Sequence, residues 1–187
     1  MKVVGIVGSG RSGGNTETLT RIALEEIQKE GLETELISLA GKKIEGCDGC
    51  RTCSETGQCH IKDDFESVLT KMKEADGIIL ATPVYYGAAT PQMTSLISRF
   101  FSTRGNTPLK NKVGGPIVVT RRAGQNFTIA QLMFFFMISE MIVPGSSYWN
   151  VAFAGRSKGD VLKDEEGIST IKNFGQKVAW LLKKINA

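Results

Sequence analysis

The chain has 187 residues, of which 41% are hydrophobic and 22% are charged. This length suits one buried core of ordinary size, and the composition excludes a disordered or fibrous protein. Lys and Arg number 23 against 19 Asp and Glu, and the resulting net charge of +4 is spread along the chain, so nothing argues for nucleic-acid binding.

Neither a membrane segment nor a leader is predicted. The richest apolar stretch, residues 129–143, is interrupted by polar side chains and is shorter than the roughly 20 residues that a bilayer needs. Only Lys2 precedes the first apolar run, which stops at Gly8, so the length of a signal peptide is lacking. We therefore expect a cytoplasmic protein.

Apolar runs with strand character alternate with segments of helical periodicity along the chain. The first run, VVGIV, is β-branched and ends at glycines, as strands buried on both faces do. In the last segment, apolar side chains from Ile168 to Leu182 recur on one helical face. The predicted strands cover residues 3–7, 33–39, 77–81, 113–120 and 147–153. The predicted helices cover residues 15–30, 63–75, 91–101, 127–142 and 164–185.

Five strands alternating with five helices indicate an α/β protein. Parallel strands need crossover connections, which are usually helical, so the pattern predicts a parallel sheet with helices on both faces. Because no repeat or linker divides the chain, we predict one domain over residues 1–187, with a cysteine-loop insertion at residues 41–62. Ligands of such sheets bind outside the carboxyl ends of the strands.

A glycine-rich and hydroxyl-rich segment, GSGRSGGNT, follows the first strand. It contains G-x-G-x-x-G, but the second strand ends without the acidic residue that a dinucleotide-binding fold uses for a ribose. Ser9, Ser12 and Thr16 offer hydroxyls, Arg11 offers a guanidinium, and Asn15 opens a helix with free amides. These donors predict a site for a terminal phosphate, the alternative being a polar turn that only caps the helix.

Two further loops follow the third and fourth strands. The segment TPVYYG could form the wall of a flat ring system, because Pro83 fixes the backbone, Gly87 permits a turn and a tyrosine packs against planar groups. The segment RRAGQ offers two guanidiniums and backbone amides beside Gly124, which could hydrogen-bond the pyrimidine end of a flavin. Core packing and solvated charge are the respective alternatives.

All four cysteines lie in one short run, Cys47-x2-Cys50-x2-Cys53-x5-Cys59. In a reducing compartment such bunching indicates metal binding or redox chemistry rather than structural disulfides. The repeated two-residue gaps suit an iron–sulfur cubane, because one loop can present sulfurs to successive corners. Structural zinc sites usually separate two such pairs by a longer segment, and free thiols are the other alternative. We interpret His60, beside Cys59, as a bystander.

Two units, strand–GSGRSGGNT–helix and strand–TPVYYG–helix, together resemble the NADPH-dependent FMN reductase-like branch of the flavodoxin superfamily. The resemblance covers nearly the whole chain. The resemblance implies a flavodoxin-like sheet of order 2-1-3-4-5 and a bound FMN. It implies that the FMN phosphate contacts Ser9, Arg11, Ser12, Asn15 and Thr16. It also implies that the ribityl chain and isoalloxazine contact Pro83, Val84, Tyr85, Tyr86, Gly87, Arg122, Ala123 and Gly124.

The cysteine run is similar to the compact motif of iron–sulfur flavoproteins, which holds a 4Fe-4S cluster. This resemblance implies that Cys47, Cys50, Cys53 and Cys59 are the cluster ligands. It also implies a flavin-dependent oxidoreductase that transfers single electrons between a donor such as ferredoxin and an acceptor. A homodimer or homotetramer is expected, for which Phe134, Phe135, Phe136 and Met137 offer apolar area.

Two alternative functions stay open. The first is an NAD(P)H-dependent FMN or quinone reductase in which the cysteines are idle. The second is a redox or metal sensor that uses the cysteine loop as a switch on a flavodoxin-like scaffold.

Overall fold

The computed structural model describes residues 1–102 and 107–187. The strands are β1 (Lys2–Val7), β2 (Glu33–Ser38), β3 (Gly77–Pro83), β4 (Val113–Thr120) and β5 (Val151–Phe153). The α-helices are α1 (Asn15–Lys29), α2 (Thr52–Thr56), α3 (Phe65–Glu74), α4 (Pro91–Ser102), α5 (Gln125–Ile138) and α6 (Glu165–Ile185). Across these two described ranges, every helix is too short or too polar to cross a membrane.

The five strands form one parallel sheet in the order β2-β1-β3-β4-β5, which confirms the predicted flavodoxin-like architecture. The chain moves outward from β1 to β2 and then returns to the other side of β1 to form β3. The strand order therefore reverses between β1 and β3, and this is where open α/β sheets bind ligands. The segments that follow β1, β3 and β4 all leave the sheet at this carboxyl edge.

Helices cover both faces of the sheet, and successive residues of the central strands point into opposite layers. On β1, Val3 packs in the apolar cluster beneath α1 and α6, whereas Val4 packs in the cluster beneath α3, α4 and α5. On β3, Ile79 and Ile78 divide in the same way. Because both faces are buried, these strands are apolar without interruption, and this is the pattern from which they were predicted.

Two elements differ from the predicted boundaries by more than two residues, and one helix was not predicted. Helix α5 covers Gln125–Ile138 rather than residues 127–142, because Gly124, at a φ of 92°, precedes it and Glu140, at a φ of 52°, follows it outside the helical region. Strand β5 is shorter than predicted and covers only Val151–Phe153. Helix α2 was not predicted, since five residues are too few to show a helical period.

Candidate cofactor sites

A cavity of about 140 Å³ opens at the carboxyl edge of the sheet, where the strand order reverses. Its walls come from the segments that follow β1, β3, β4 and β5. The lining residues are Ser9, Arg11, Gly14, Asn15, Thr16, Pro83, Val84, Tyr85, Val119, Thr120, Arg121, Ala154, Gly155 and Lys158. The structure thus brings two predicted segments to one cavity. These are the phosphate segment, residues 8–16, and the ring-wall segment, residues 82–87.

The phosphate segment is fastened to the core at its start and shaped by a carboxylate at its end. Gly8 N donates to the Ala81 carbonyl at 2.7 Å, and Thr90 Oγ1 donates to the Gly8 carbonyl. Gly13 N donates to Glu17 Oε2 at 2.8 Å, and this amide is the main reason why the pKa of Glu17 lies below its ordinary value. Within the segment, Ser9 Oγ accepts from Arg11 N at 3.1 Å, so the Ser9 hydroxyl also helps to shape it.

Helix α1 begins at the cavity without a side-chain cap. Its N-cap residue is Gly14, which has no side chain to accept from the first amides of the helix. Thr16, in the first turn, is buried and lines the cavity. Uncapped amides and the partial positive charge of a helix N-terminus suit a phosphate, so the donor set fits the anionic end of FMN.

Lys158 lines the same cavity and was not predicted from the sequence. Its Nζ atom lies 3.5 Å from the position that a Cβ atom on Gly13 would occupy. Arg11 lies nearby and donates through Nη1 to the Arg156 carbonyl at 3.1 Å. Two cations therefore line the cavity here, Arg11 from the phosphate segment itself and Lys158 from the segment after β5.

The loops after β3 and β4 touch each other at the cavity rim. Tyr85 and Ala88 close the first loop through two backbone hydrogen bonds of 2.8 and 3.0 Å. A Cβ atom on Gly124 would lie 2.9 Å from both Gly87 Cα and Val84 Cγ1. Only glycine at this position lets the two loops approach so closely.

The predicted flavin contacts divide into three groups. Ser9, Arg11, Asn15, Thr16, Pro83, Val84 and Tyr85 line the cavity. Arg122 lines a neighbouring cavity of about 620 Å³, which shares Arg121, Ala154 and Gly155 with the first. Ser12, Tyr86, Gly87, Ala123 and Gly124 line neither of these two cavities. Small-molecule sites usually have at least about 300 Å³, so a flavin needs room beyond the smaller cavity, and the adjoining one provides it.

The four cysteines line one separate cavity of about 640 Å³. Cys47 and Cys50 are exposed, Cys59 is half-buried, and Cys53, which lies on α2, is buried. Gly49 and Arg51, with φ values of 73° and 65°, turn the backbone so that the thiols face a common space. Four thiols on one cavity form a ligand set that fits a 4Fe-4S cluster.

Asp48 links the cysteine run to His60. Its Oδ1 atom accepts from Cys50 N at 3.1 Å, and its Oδ2 atom lies 2.7 Å from His60 Nε2. These contacts, the Cys50 amide first, lower the pKa of Asp48. His60 was interpreted as a bystander, and the geometry gives it a structural contact through Asp48 at the rim of the cavity.

A buried ion pair lies beside the cysteine loop and was not predicted. Arg99 Nη1 lies 2.5 Å from Asp63 Oδ2, and each side chain is only 1% exposed. Burial opposes the ionisation of Asp63, but the Arg99 guanidinium and the amides of Glu45 and Phe65 outweigh it and hold the pKa of Asp63 below its ordinary value. The sequence indicated only that Asp63 stands at the start of a predicted helix, and it gave no sign of the partner Arg99.

The chain is similar in sequence to known flavoproteins over nearly its whole length. The profile of the family described as NADPH-dependent FMN reductase matches residues 1–156. An iron–sulfur flavoprotein of Methanocaldococcus jannaschii is 46% identical over 191 aligned residues, which cover 99% of each chain. An iron–sulfur flavoprotein of Methanosarcina thermophila is 35% identical, covering 99% of this chain and 97% of its own.

Among solved structures, RosB with a bound formylriboflavin phosphate intermediate superimposes with a TM-score of 0.80. It is 20% identical and covers all of this chain and 80% of its own, so the likeness concerns the fold alone. The two iron–sulfur flavoproteins show the family, because they are 46% and 35% identical over nearly the full length of the chain. The chain therefore belongs to the NADPH-dependent FMN reductase family and, within it, to the iron–sulfur flavoproteins, which makes it a flavin-dependent oxidoreductase.

Proposed function

We propose that the chain binds FMN and a 4Fe-4S cluster and passes single electrons between them, and between a donor such as ferredoxin and an acceptor. The observation that carries the proposal is the convergence of Cys47, Cys50, Cys53 and Cys59 on one cavity, at the same edge of the sheet as the phosphate segment. FMN exchanges electrons singly or in pairs and an iron–sulfur cluster exchanges them singly, so together they connect the two kinds of partner.

The residues of the flavin site have distinct proposed tasks. The amides at the start of α1, the Thr16 hydroxyl and the cations Arg11 and Lys158 bind the phosphate. Val84 and Tyr85 offer apolar and aromatic surface to the ring on the β3 side. No side chain needs to act as a general acid or base, because the chain's task is to hold two redox groups and to set their potentials.

Residues of the cysteine loop hold the proposed cluster. Cys53 approaches from α2, while Cys47, Cys50 and Cys59 lie on irregular backbone around it. The exposed positions of Cys47 and Cys50 leave one side of the cavity open to water or to a partner protein. This opening suits electron entry from a small redox protein, since electron transfer needs close approach.

NAD(P)H-dependent reduction of the flavin is the second candidate. The larger cavity next to the flavin site presents Arg121 and Arg122, for which no hydrogen bond or ion pair is seen among the described residues. Unpartnered guanidiniums are suited to the phosphates of a nicotinamide cofactor. This activity would need the flavin but not the cysteines.

A second copy of the chain is the proposed occupant of the outer face of α5. Phe127, Phe134 and Met137 are 77%, 68% and 65% exposed, whereas Phe135 and Phe136 are buried in the core. Phe127 and Phe134 are seven residues apart and therefore lie on the same side of the helix. Large exposed apolar patches mark interaction surfaces, so α5 is the expected contact of a homodimer or homotetramer.

The variant Cys53→Ala tests the division of labour between the two cofactors. The variant should lose the cluster and the ferredoxin-linked reduction of FMN while it retains the flavin, because alanine cannot replace a thiolate ligand. Glu55→Ala, two residues further along α2, is the matched control and should retain both cofactors, because Glu55 is exposed and is not among the residues that line the cysteine cavity. Full iron content and unchanged ferredoxin-dependent turnover in Cys53→Ala would overturn the cluster assignment and favour the NAD(P)H-dependent reductase.

A further inference from the structure

Both ends of the cysteine loop converge on the buried pair Arg99 and Asp63. Before the cluster motif, Glu45 N donates to Asp63 Oδ2 at 2.8 Å. After it, the Ile61 carbonyl accepts from Arg99 Nη2 at 3.0 Å. Glu45 lies two residues before Cys47 and Ile61 lies two residues after Cys59, so this pair closes the base of the loop.

Helix α4 supplies the fixed side of this closure. Ser98 Oγ accepts from Cys47 N at 3.3 Å, and the next residue is Arg99. The Arg99 guanidinium lies 4.2 Å above the centre of the Phe65 ring, and Asp63 Oδ1 also accepts from Phe65 N at 3.0 Å. The loop is thus anchored to α4 and to the start of α3.

Arg99 lies beside the segment that carries Cys59, because the Ile61 carbonyl that it binds is only two residues further along the chain. Burial lowers the pKa of Arg99, but Asp63 and then the Cys59 side chain raise it above its ordinary value. Its guanidinium is always ionised and is removed from water, where its charge acts more strongly than at a surface. Burying an ion pair is costly and is offset only by good geometry and additional hydrogen bonds, which this pair has to Glu45, Phe65 and Ile61. A hydrophobic pair could fill this space but would give the loop neither the tethers nor the charge.

We propose that Arg99 is a positioning residue for the iron–sulfur cluster, which with Asp63 closes the ligand loop and whose charge raises the reduction potential of the cluster. The inference rests on the proposed binding of the cluster by the cysteines. Reduction adds negative charge to a cluster, so a buried cation at the base of the ligand loop stabilises the reduced form. The negative charge of Asp63 destabilises the reduced form, so the reduction potential depends on both charges of the pair.

Two neutralising variants separate charge from structure. The cluster potential, measured by redox titration of the holoprotein with EPR detection, should shift to more negative values in Arg99→Gln and to more positive values in Asp63→Asn. The potential of FMN should shift less in both. Lys62→Gln is the matched control, since it removes a positive charge three residues after Cys59 from an exposed side chain, where water screens the charge.

Arg99→Lys tests the tether separately from the charge. It keeps the positive charge but cannot reproduce the fork that joins Asp63 to Ile61, so iron release to a chelator should be faster than in the wild type while the potential shifts less than in Arg99→Gln. If Arg99→Gln does not retain a cluster, the sign of the potential shift in Asp63→Asn tests the role of charge. The chelation rate of Arg99→Lys then tests the role of the tether.

Shifts of the same sign in Arg99→Gln and Asp63→Asn, or shifts no larger than that of Lys62→Gln, would overturn the role of charge. A chelation rate of Arg99→Lys equal to the wild type would overturn the role of the tether. Iron and acid-labile sulfide in the wild-type protein are measured first. Their absence would contradict the proposed function itself, a result that cannot be confused with either of these.

Discussion

The side-chain amide of Asn15 donates through Nδ2 to the carbonyl of Ser157 at 2.9 Å and so joins the start of α1 to the segment after β5. The Oδ1 atom of the same amide accepts from Val161 N at 3.3 Å. One side chain therefore holds the segment that carries Lys158 against the phosphate segment. The positive charge of the cavity is for this reason a product of the tertiary fold and not of the glycine-rich segment alone.

Removal of either cation that lines the smaller cavity, Arg11 or Lys158, should weaken FMN binding. Arg11→Ala and Lys158→Ala are each expected to raise the Kd of the apoprotein for FMN by roughly ten- to hundredfold, because a charge-assisted hydrogen bond to the phosphate is lost. Calorimetric titration measures the change. Riboflavin has no phosphate, so its weaker binding should be the same in the variants and the wild type.

Arg156→Ala is the matched control for these two variants. The hydrogen bond from Arg11 to Arg156 uses the backbone carbonyl of Arg156, and Arg156 is not among the residues that line the cavity, so the affinity for FMN should stay near that of the wild type. An equal loss of affinity for riboflavin and FMN in Lys158→Ala would show that the phosphate does not lie at this end of the cavity.

A methyl group at Gly124 should separate the two loops at the cavity rim. Gly124→Ala is expected to weaken FMN binding more than Gly87→Ala, because the new Cβ would lie 2.9 Å from Gly87 Cα, whereas a Cβ on Gly87 would meet no atom within 4 Å. Both glycines have positive φ, of 92° and 79°, so backbone strain is common to the two variants. FMN titration with thermal unfolding as the fold control makes the comparison, and equal losses in both variants would mean that loop contact is unimportant.

Asp63 should make the stability of the protein depend on pH in the acid range. Its folded pKa is lowered, so its ionised form contributes stability that is complete above the unfolded value near 3.9 and is lost as the pH falls through the folded pKa. Asp63→Asn should therefore be less stable than the wild type at neutral pH, by about 3–5 kcal/mol, because it leaves Arg99 buried without its counter-ion.

Denaturant unfolding of both proteins from neutral to acid pH tests this linkage. The difference in the free energy of unfolding should narrow as the pH falls below the unfolded pKa of an aspartate. A difference that stays constant across that range would show that the Asp63 carboxylate is not the titrating group.

The exposed face of α5 should determine the oligomeric state. Phe134→Glu combined with Met137→Glu is expected to reduce the mass measured by sedimentation at a fixed protein concentration, because charged side chains cannot be buried in an apolar contact without cost. Trp180→Glu, on α6, is the matched control, since Trp180 is also large, apolar and half-exposed. Dissociation by Trp180→Glu instead would place the contact on α6.

The sheet and the cysteine run could be predicted from the sequence because their signals are local. Continuous apolar runs such as residues 77–81 predicted the central strands. Glycines and the short cysteine spacing predicted a loop whose four thiols surround one site, and the four cysteines do line one cavity. Lys158 and Arg99 could not be predicted, because each reaches its site only through folding. Arg99 occurs in an amphipathic helical pattern in which one arginine normally faces water, and its partner Asp63 is 36 residues away.

The apolar helix α5 shows a similar limit. The helix contains four consecutive large apolar residues, from Phe134 to Met137. Phe135 and Phe136 are buried in the core, whereas Phe134 and Met137 are exposed. Which of them are exposed depends on how the helix lies against β4. A uniformly apolar segment carries no periodicity from which that orientation could be predicted.

The most direct measurement is the amount of iron, acid-labile sulfide and FMN per chain after strictly anaerobic purification. We expect about four iron, about four sulfide and about one FMN per chain. FMN without iron or sulfide would contradict it and would favour an NAD(P)H-dependent reductase with idle cysteines, while a cluster or metal without FMN would favour a sensor built on the same fold.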